Sequence, residues 1–341
     1  MFNISNRRYT GAKTKLLKNI EAVLNQTSFK TALKSGSFFD VFAGTGVVSE
    51  YFLKEGYFSR FIINDFLHSN FAIFNGFFAS GDFDQNKLNK IAKNFNQISL
   101  KEQNYYSLNF GEKFFSNQDA VKIGFIRDEI DYLKNANEIN QKEFFILLSS
   151  LIYSLDKISN TCGHYEAYRK NIILQDRFVF ELISPIKTDK KIEIFRQNSN
   201  ELSKKIRSDI AYIDPPYNSR QYSRFYHLLE NITQNKKPEL FGVALKPKPE
   251  NLSVYCTTNA KKAFENLIKN LANNGTCGIL VSYNNTKTAN IRSNVLINDD
   301  DLIAILQSFG KIKKFEFDFK PFNAGKTNFK NHKERIFCVK L

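Results

Sequence analysis

Phe38-Phe39-Asp40-Val41-Phe42-Ala43-Gly44-Thr45-Gly46, continued by Val47-Val48, is the stretch on which the fold turns. Its first five residues read as a buried strand, a short aromatic and β-branched run stopped by glycine. Beyond the glycines, Val47-Val48 and Tyr51-Phe52 fall at helical spacing. Strand, glycine turn, helix is the arrangement that opens an α/β cofactor-binding unit. Glycine permits close approach of a bound molecule to the backbone, and the exposed N–H groups of a helix start favour a carboxylate or phosphate. The turn is not a full Gly-x-Gly-x-x-Gly, because Ser49 stands at the third position, and the Lys-Ser/Thr of a phosphate-binding loop is missing. On these residues alone, a purely structural turn stays open.

Downstream, Arg60-Phe61-Ile62-Ile63-Asn64-Asp65 reads as a second short strand. Its terminal acid lies about twenty residues past the glycine turn, the separation at which a carboxylate holds ribose hydroxyls. Asp65 is also placed to cap a helix starting near Leu67, and one role does not exclude the other. Upstream, Arg7-Arg8-Tyr9-Thr10-Gly11-Ala12-Lys13 is a basic loop before an amphipathic helix marked by Leu16, Leu17, Ile20, Val23 and Leu24.

Between residues 73 and 189 the strand-helix alternation fades. Val121, Phe125, Ile126, Ile130 and Leu133 mark one helix, and Phe144-Phe145, Leu147-Leu148, Leu151-Ile152 and Leu155 mark another. The segment reads as a mainly helical lobe inserted into an α/β domain formed by residues 1–72 and 190–341. Within the lobe, Asn160-Thr161-Cys162-Gly163-His164-Tyr165-Glu166-Ala167-Tyr168-Arg169-Lys170 interleaves aromatics with charge as nucleic-acid contacts do. A solvated loop is the plainer reading. His164 has no partner at ligand spacing and is not read as a metal ligand.

The α/β pattern returns with a strand at 191–195 and a short helix at 201–206. Ile210-Ala211-Tyr212 then leads into Ile213-Asp214-Pro215-Pro216-Tyr217. Each proline fixes its own φ and drives the preceding residue into an extended conformation. A carboxylate, main-chain carbonyls and an aromatic ring are thereby held in one rigid corner at the carboxyl end of a strand, where open α/β sheets bind ligands. The alternative is a Pro-rich turn with a buried Tyr. Arg220, Tyr222, Arg224, Tyr226 and His227 crowd the following segment, which is expected to run as one helix over 222–232. Further helices at 260–271 and 299–309, a buried strand at 277–283 and two terminal strands at 312–319 and 335–340 complete the pattern. The terminal strands are expected to form a hairpin bridged by a basic loop around Lys326 and Lys330.

Composition narrows the function classes. The 341 residues are 42% hydrophobic, enough for one large core, or one core and a smaller lobe. Lys and Arg number 49 against 34 Asp and Glu, a formal +15, which favours a polyanionic partner, nucleic acid before a membrane surface. No apolar run is long enough to span a bilayer, and the first residues lack the pattern of a signal peptide. A soluble, cytoplasmic protein is expected. Cys162, Cys256, Cys277 and Cys338 contain no Cys-x-x-Cys pair, so neither a zinc site nor a disulfide framework is indicated.

Taken together, Phe39-Asp40-Val41-Phe42-Ala43-Gly44-Thr45-Gly46, Asn64-Asp65, Asp214-Pro215-Pro216-Tyr217 and Tyr9-x-Gly11-x-Lys13 resemble the adenine-N6 DNA methyltransferases of the alpha, or Dam-like, group. The likeness extends to Asn160-Thr161-Cys162-Gly163-His164-Tyr165, Asn218-Ser219-Arg220-Gln221-Tyr222, Tyr226-His227-Leu228-Leu229-Glu230 and Leu280-Val281-Ser282-Tyr283-Asn284-Asn285, and points to the modification methylases of type II restriction systems. The resemblance implies a seven-stranded, Rossmann-like methyltransferase sheet, S-adenosylmethionine as methyl donor, and target recognition by the inserted lobe. It puts Gly44, Thr45 and Gly46, with Asp40 and Phe42 beside them, against the cofactor, Asp65 on its ribose, and Tyr9 and Lys13 near its methionine end. Family members often carry an acid that holds the cofactor's adenine amino group where this chain has Asn198-Ser199-Asn200-Glu201. The amide oxygen of Asn200 is able to accept the same hydrogen bond.

The expected chemistry follows. The carboxylate of Asp214 and the carbonyl of Pro215 accept the two N6 hydrogens of adenine and favour a pyramidal nitrogen facing the methyl group. Pro216 stiffens the corner, and Tyr217 stacks on a base flipped out of the duplex. None of the four cysteines adjoins a proline, which speaks against transfer to cytosine C5. Arg169, Lys170, Arg220, Tyr222 and Arg224 are the expected DNA contacts, a separate cognate restriction endonuclease the expected companion, and a monomer or weak dimer the expected state. Two other readings stay open: an RNA base-amino methyltransferase and a basic DNA-binding subunit without turnover.

Overall fold

The computed structural model describes residues 1–26, 29, 32–161, 163–216, 219–284, 296–318 and 333–341. Tyr217, Asn218, Cys162, Asn285 and the basic loop around Lys326 and Lys330 lie outside the described residues.

Seven strands form one sheet in the order β3-β2-β1-β4-β5-β7-β6. They are β1 (Ser37–Asp40), β2 (Arg60–Asn64), β3 (Lys191–Phe195), β4 (Ile210–Ile213), β5 (Gly278–Asn284), β6 (Lys311–Asp318) and β7 (Lys333–Lys340). The first five run parallel, and β7 is antiparallel to both β5 and β6. β1 and β4 are buried along their whole length. That is why they read as continuous apolar runs and not as alternating ones. On one face, Phe39, Ala211, Ile213, Ile279, Val281 and Phe337 pack with Phe264, Leu267 and Ile268 of the helix Ala260–Asn273. On the other, Phe38 meets Phe52 of the helix Val47–Lys54 at 5.2 Å between ring centroids, with Phe58 at 5.0 Å. Helices thus cover both faces of the seven-stranded sheet, the α/β architecture expected from the sequence.

The chain divides into two compact units. The sheet unit comprises Ala12–Phe66, Asp189–Gln221 and Asn251–Leu341. The helical unit comprises Met1–Gly11, Leu67–Thr188 and Tyr222–Glu250, and so takes in nearly all of the expected lobe together with flanking pieces of chain. Its long helices Asn117–Asn135 and Gln141–Ile158 sit where the apolar spacing placed them. Each begins at a side-chain cap, Ser116 accepting from the Asp119 amide and Asn140 from the Glu143 amide.

One sequence expectation changes. The single helix over 222–232 is two, Tyr222–Phe225 and His227–Gln234, interrupted at Tyr226. The Tyr226 ring lies flat against Tyr9, 4.7 Å between centroids, and its hydroxyl accepts the Thr10 amide at 2.8 Å. Holding those two contacts fixes Tyr226 outside helical geometry. The helix starting near Leu67 runs from His68 to Phe77, and Glu230 takes its first amides, His68 at 3.0 Å and Ser69 at 2.8 Å. A buried carboxylate on that helix start is favoured by the unpaired N–H groups and the dipole together.

Candidate active site

In an open α/β sheet the ligand crevice lies beyond the carboxyl ends of the strands, where the strand order reverses. Here the reversal falls between β1 and β4, and both strands end in an acid. Asp40 closes β1, while Asp214 follows the last residue of β4. Asp65 follows β2, one strand further out.

Gly44 and Gly46 carry the turn after β1 with φ of +55° and +81°. Side chains rarely adopt that region, so the turn needs glycine there. The Gly46 amide donates to the Ala43 carbonyl at 2.7 Å, and the Gly44 amide donates to Oδ2 of Asp65 at 2.9 Å. Asn64 ties the neighbouring strand ends by donating to the carbonyls of Val41 (3.1 Å) and Gln197 (3.2 Å) while accepting the Gln197 amide. Thr45 is buried in the turn, and the half-buried Phe42 sets its ring edge-on to Tyr255 at 4.9 Å.

Asp214 keeps a side chain 15% exposed, and its Oδ1 receives the Lys13 ammonium at 3.1 Å. Lys13 is itself buried and also lies 3.8 Å from Oε1 of Glu334, on β7. Burial would lower its pKa, but the two carboxylates outweigh burial and raise it, so Lys13 is a firmly charged ammonium. The family model for the D12 class N6 adenine-specific DNA methyltransferases matches residues 9–299, which contain this whole arrangement save Glu334.

The chain belongs to that D12 class.

Among curated relatives, it is 33% identical over 329 residues to modification methylase StsI of Streptococcus sanguinis, covering 89% of this chain and 46% of that one. It is 29% identical over 353 residues to type II methyltransferase M.FokI of Planomicrobium okeanokoites, covering 96% of this chain and 51% of that one. It is 28% identical over 340 residues to type II methyltransferase M.NlaIII of Neisseria lactamica, covering 95% of each. The chain thus spans about half the length of the first two and nearly all of the third.

The remaining residues singled out from the D12 sequence fall as follows. Asp40 is buried; Ser49 donates to its Oδ2 at 2.7 Å, and its Oδ1 has no hydrogen-bond partner among the described residues. Burial lifts its carboxyl to about 7, against the pull of Ser49 and with help from the charges of Asp214 and Asp65. Asn200 is held on the protein side. Its amide donates to the Ala263 carbonyl at 2.7 Å, and its oxygen accepts the Tyr255 hydroxyl at 2.7 Å, with a second lone pair remaining. Tyr9 and Lys13, paired in the sequence reading, belong to different units. In the helical unit Tyr9 stacks on Tyr226 and on Tyr222 at 5.6 Å. The Arg7 guanidinium lies 5.0 Å from the Tyr9 ring centroid and 5.5 Å from that of Tyr226.

The segment around residue 165 is anchored, which argues against a solvated loop. The Tyr165 hydroxyl donates to Asp156 at 2.8 Å, its amide donates to the Phe225 carbonyl at 2.8 Å, and His227 bonds its carbonyl at 2.8 Å. Arg169, Lys170 and Arg220 are exposed, whereas Tyr222 and Arg224 are half-buried, Arg224 donating to the Pro247 carbonyl at 2.5 Å. Among the described residues no cluster of three or more His, Cys, Asp or Glu could hold a metal, and Cys256, Cys277 and Cys338 are free.

Sequence reading missed Glu334, Glu230 and the burial of Arg7. For Glu334 the available signal was slight, an acid between Lys333 and Arg335 at the start of β7, just before the apolar run Ile336-Phe337-Cys338-Val339.

The Asp40 carboxyl carries a stability prediction. Its folded pKa of about 7 lies above the ordinary 3.8, so the folded chain holds that proton more tightly than the unfolded chain. The group therefore costs nothing below about pH 4, and its cost grows as pH rises toward 7. Asp40→Asn keeps an oxygen for Ser49 and removes the buried charge. It should raise the unfolding midpoint at pH 8, on the order of a few degrees, and leave it unchanged near pH 4. Thermal unfolding of both proteins at the two pH values measures this, and a gain equal at both would assign it to packing.

Proposed function

We propose that this chain transfers a methyl group from S-adenosylmethionine to N6 of a flipped adenine in duplex DNA, and so protects a short site from a cognate endonuclease. The observation that carries the reading is Asp214. Its carboxylate stands just past β4, beside the point where the sheet order reverses, partly exposed and oriented by a buried ammonium. Membership of the D12 class and the type II methylases among the relatives support the same reading.

The glycine turn suits the cofactor, because positive φ at Gly44 and Gly46 leaves backbone where a side chain would stand, and Asp65 and Thr45 flank it. Gly44, Thr45, Gly46, Asp40 and Phe42 would hold the cofactor, with Asp65 on the ribose, Asn200 through its second lone pair, and Lys13 toward the methionine end. When bound, S-adenosylmethionine supplies an electrophilic methyl group on sulfonium. Asp214 and the Pro215 carbonyl take the two N6 hydrogens, which turns the nitrogen lone pair outward. Positive charge develops on that nitrogen as the bond forms, so a carboxylate beside it stabilises the transition state more than the ground state. Tyr217, outside the described residues, is assigned to stacking on the extruded base, and Pro216 to stiffening the corner. Residues 73–189 would carry target recognition. The protein would act in the cytoplasm as a monomer or weak dimer, with the endonuclease a separate protein.

Transfer of tritiated methyl groups to duplex DNA and to RNA tests the reading. Label in duplex DNA, recovered as N6-methyladenine, is expected; label in RNA alone would replace duplex DNA as the substrate. DNA affinity should also fall steeply with salt, because each neutralised phosphate releases counterions. Replacing Arg169 and Lys170 together by Ala should lower the slope of log affinity against log salt by about one for each phosphate no longer neutralised. An unchanged slope would remove these two residues from the interface.

A further inference from the structure

We propose that Glu334 is a positioning residue for methyl transfer, acting through Lys13 to hold the Asp214 carboxylate toward the reacting amine. The inference rests on the catalytic reading of Asp214 given above and goes beyond it to a strand that the reading does not use.

The strand registers place the group. Asp40 pairs with Tyr212, Tyr212 with Leu280, and Asn284 with Glu334. Alternate residues of a strand share a face, so Leu280 and Ser282 lie on the face that also bears Asp40, Tyr212 and Glu334. A polar row thus crosses four strands on the face opposite the apolar cluster around Phe264. Tyr212, Ser282, Asp40 and Glu334 are all buried. The acids of the row are poorly satisfied. Among the described residues, Oδ1 of Asp40 and Oε2 of Glu334 have no hydrogen-bond partner.

A buried acid with one oxygen unpaired is a poor stabilising device, since an apolar residue of similar volume often serves the fold as well. Burial pushes the Glu334 carboxyl above its ordinary value, with Lys13 pulling the other way. What Glu334 does provide is a second anion for Lys13. With Glu334 fixed on β7 at 3.8 Å and Asp214 at 3.1 Å, the ammonium is held between two points, and Asp214 is held with it. Two carboxylates around one ammonium also leave net negative charge near the amine, which favours a nitrogen becoming positive.

Glu334→Gln keeps the shape and removes the charge. It should lower kcat by about ten- to a hundred-fold, the penalty of a reacting group misplaced from a distance. The dissociation constant of duplex DNA should stay at the wild-type value, and the loss of kcat should persist at saturating S-adenosylmethionine. Glu334→Asp, which restores the charge at shorter reach, should recover part of kcat. In a Lys13→Met background, Glu334→Gln should cause no further loss, because residues acting through one partner are not additive. Wild-type kcat in Glu334→Gln, or an undiminished loss in the Lys13→Met background, would overturn the proposal. If the Gln variant unfolds, Glu334→Asp decides alone: a kcat defect at saturating cofactor, with unchanged unfolding midpoint and unchanged DNA dissociation constant, supports positioning, and wild-type kcat refutes it. Failure of the catalytic reading has a different signature, turnover surviving in Asp214→Ala whatever Glu334 does.

Discussion

Asp214→Ala should abolish methyl transfer, lowering kcat by about a hundred- to a thousand-fold or more, the penalty for removing a group that meets developing charge. Cofactor affinity should be largely retained, because the proposed role of the missing carboxylate is at the substrate amine and not at the cofactor. The substitution also strips Lys13 of its nearer counter-ion, and an uncompensated buried charge would cost several kcal/mol. Glu334 remains at 3.8 Å to take up that charge, so the fold should survive with a lowered unfolding midpoint. Single-turnover transfer at saturating cofactor and DNA, beside thermal unfolding of the same protein, separates the two effects. Near-normal single-turnover rates would remove Asp214 from the chemistry.

What was legible in the sequence follows from how each group is placed. β1 and β4 were visible because both faces are covered, so Phe38-Phe39 and Ile210-Ala211 form unbroken apolar runs. The turn after β1 was visible because only glycine sits easily at a φ of +81°. The corner at Asp214 was visible because two prolines fix it locally. The helix expected over 222–232 failed on a nonlocal cause, the Tyr9 ring and the Thr10 amide some two hundred residues upstream, which claim Tyr226. Glu334 was invisible for the same reason. Its partner Lys13 is at the far end of the chain, and its strand, inward on both faces, shows no alternation that would mark an acid as turned toward a site. Periodicity reports burial along one element, whereas a site is assembled between elements.

Asp65 should show the reverse of the Asp214 pattern. Its Oδ2 already accepts the Gly44 amide at 2.9 Å, and the proposed ribose contact would add a second charge-assisted bond. Hydrogen bonds to a charged group contribute about 1.5–3 kcal/mol each, and about 1.4 kcal/mol is tenfold in affinity. Removing the ribose hydrogen bond alone should therefore weaken S-adenosylmethionine binding by about ten- to a hundred-fold in Asp65→Ala. Releasing the Gly44 amide would add to this by loosening the turn proposed to hold the cofactor. Turnover at saturating cofactor should be much less affected. Asp65→Asn separates the two contributions, because its amide oxygen still accepts from Gly44 but carries no charge. If calorimetry finds Asn as weak a binder as Ala, the charge on the ribose is the main contribution. If Asn binds as wild type does, Asp65 acts chiefly by holding the glycine turn in place, and the ribose assignment fails.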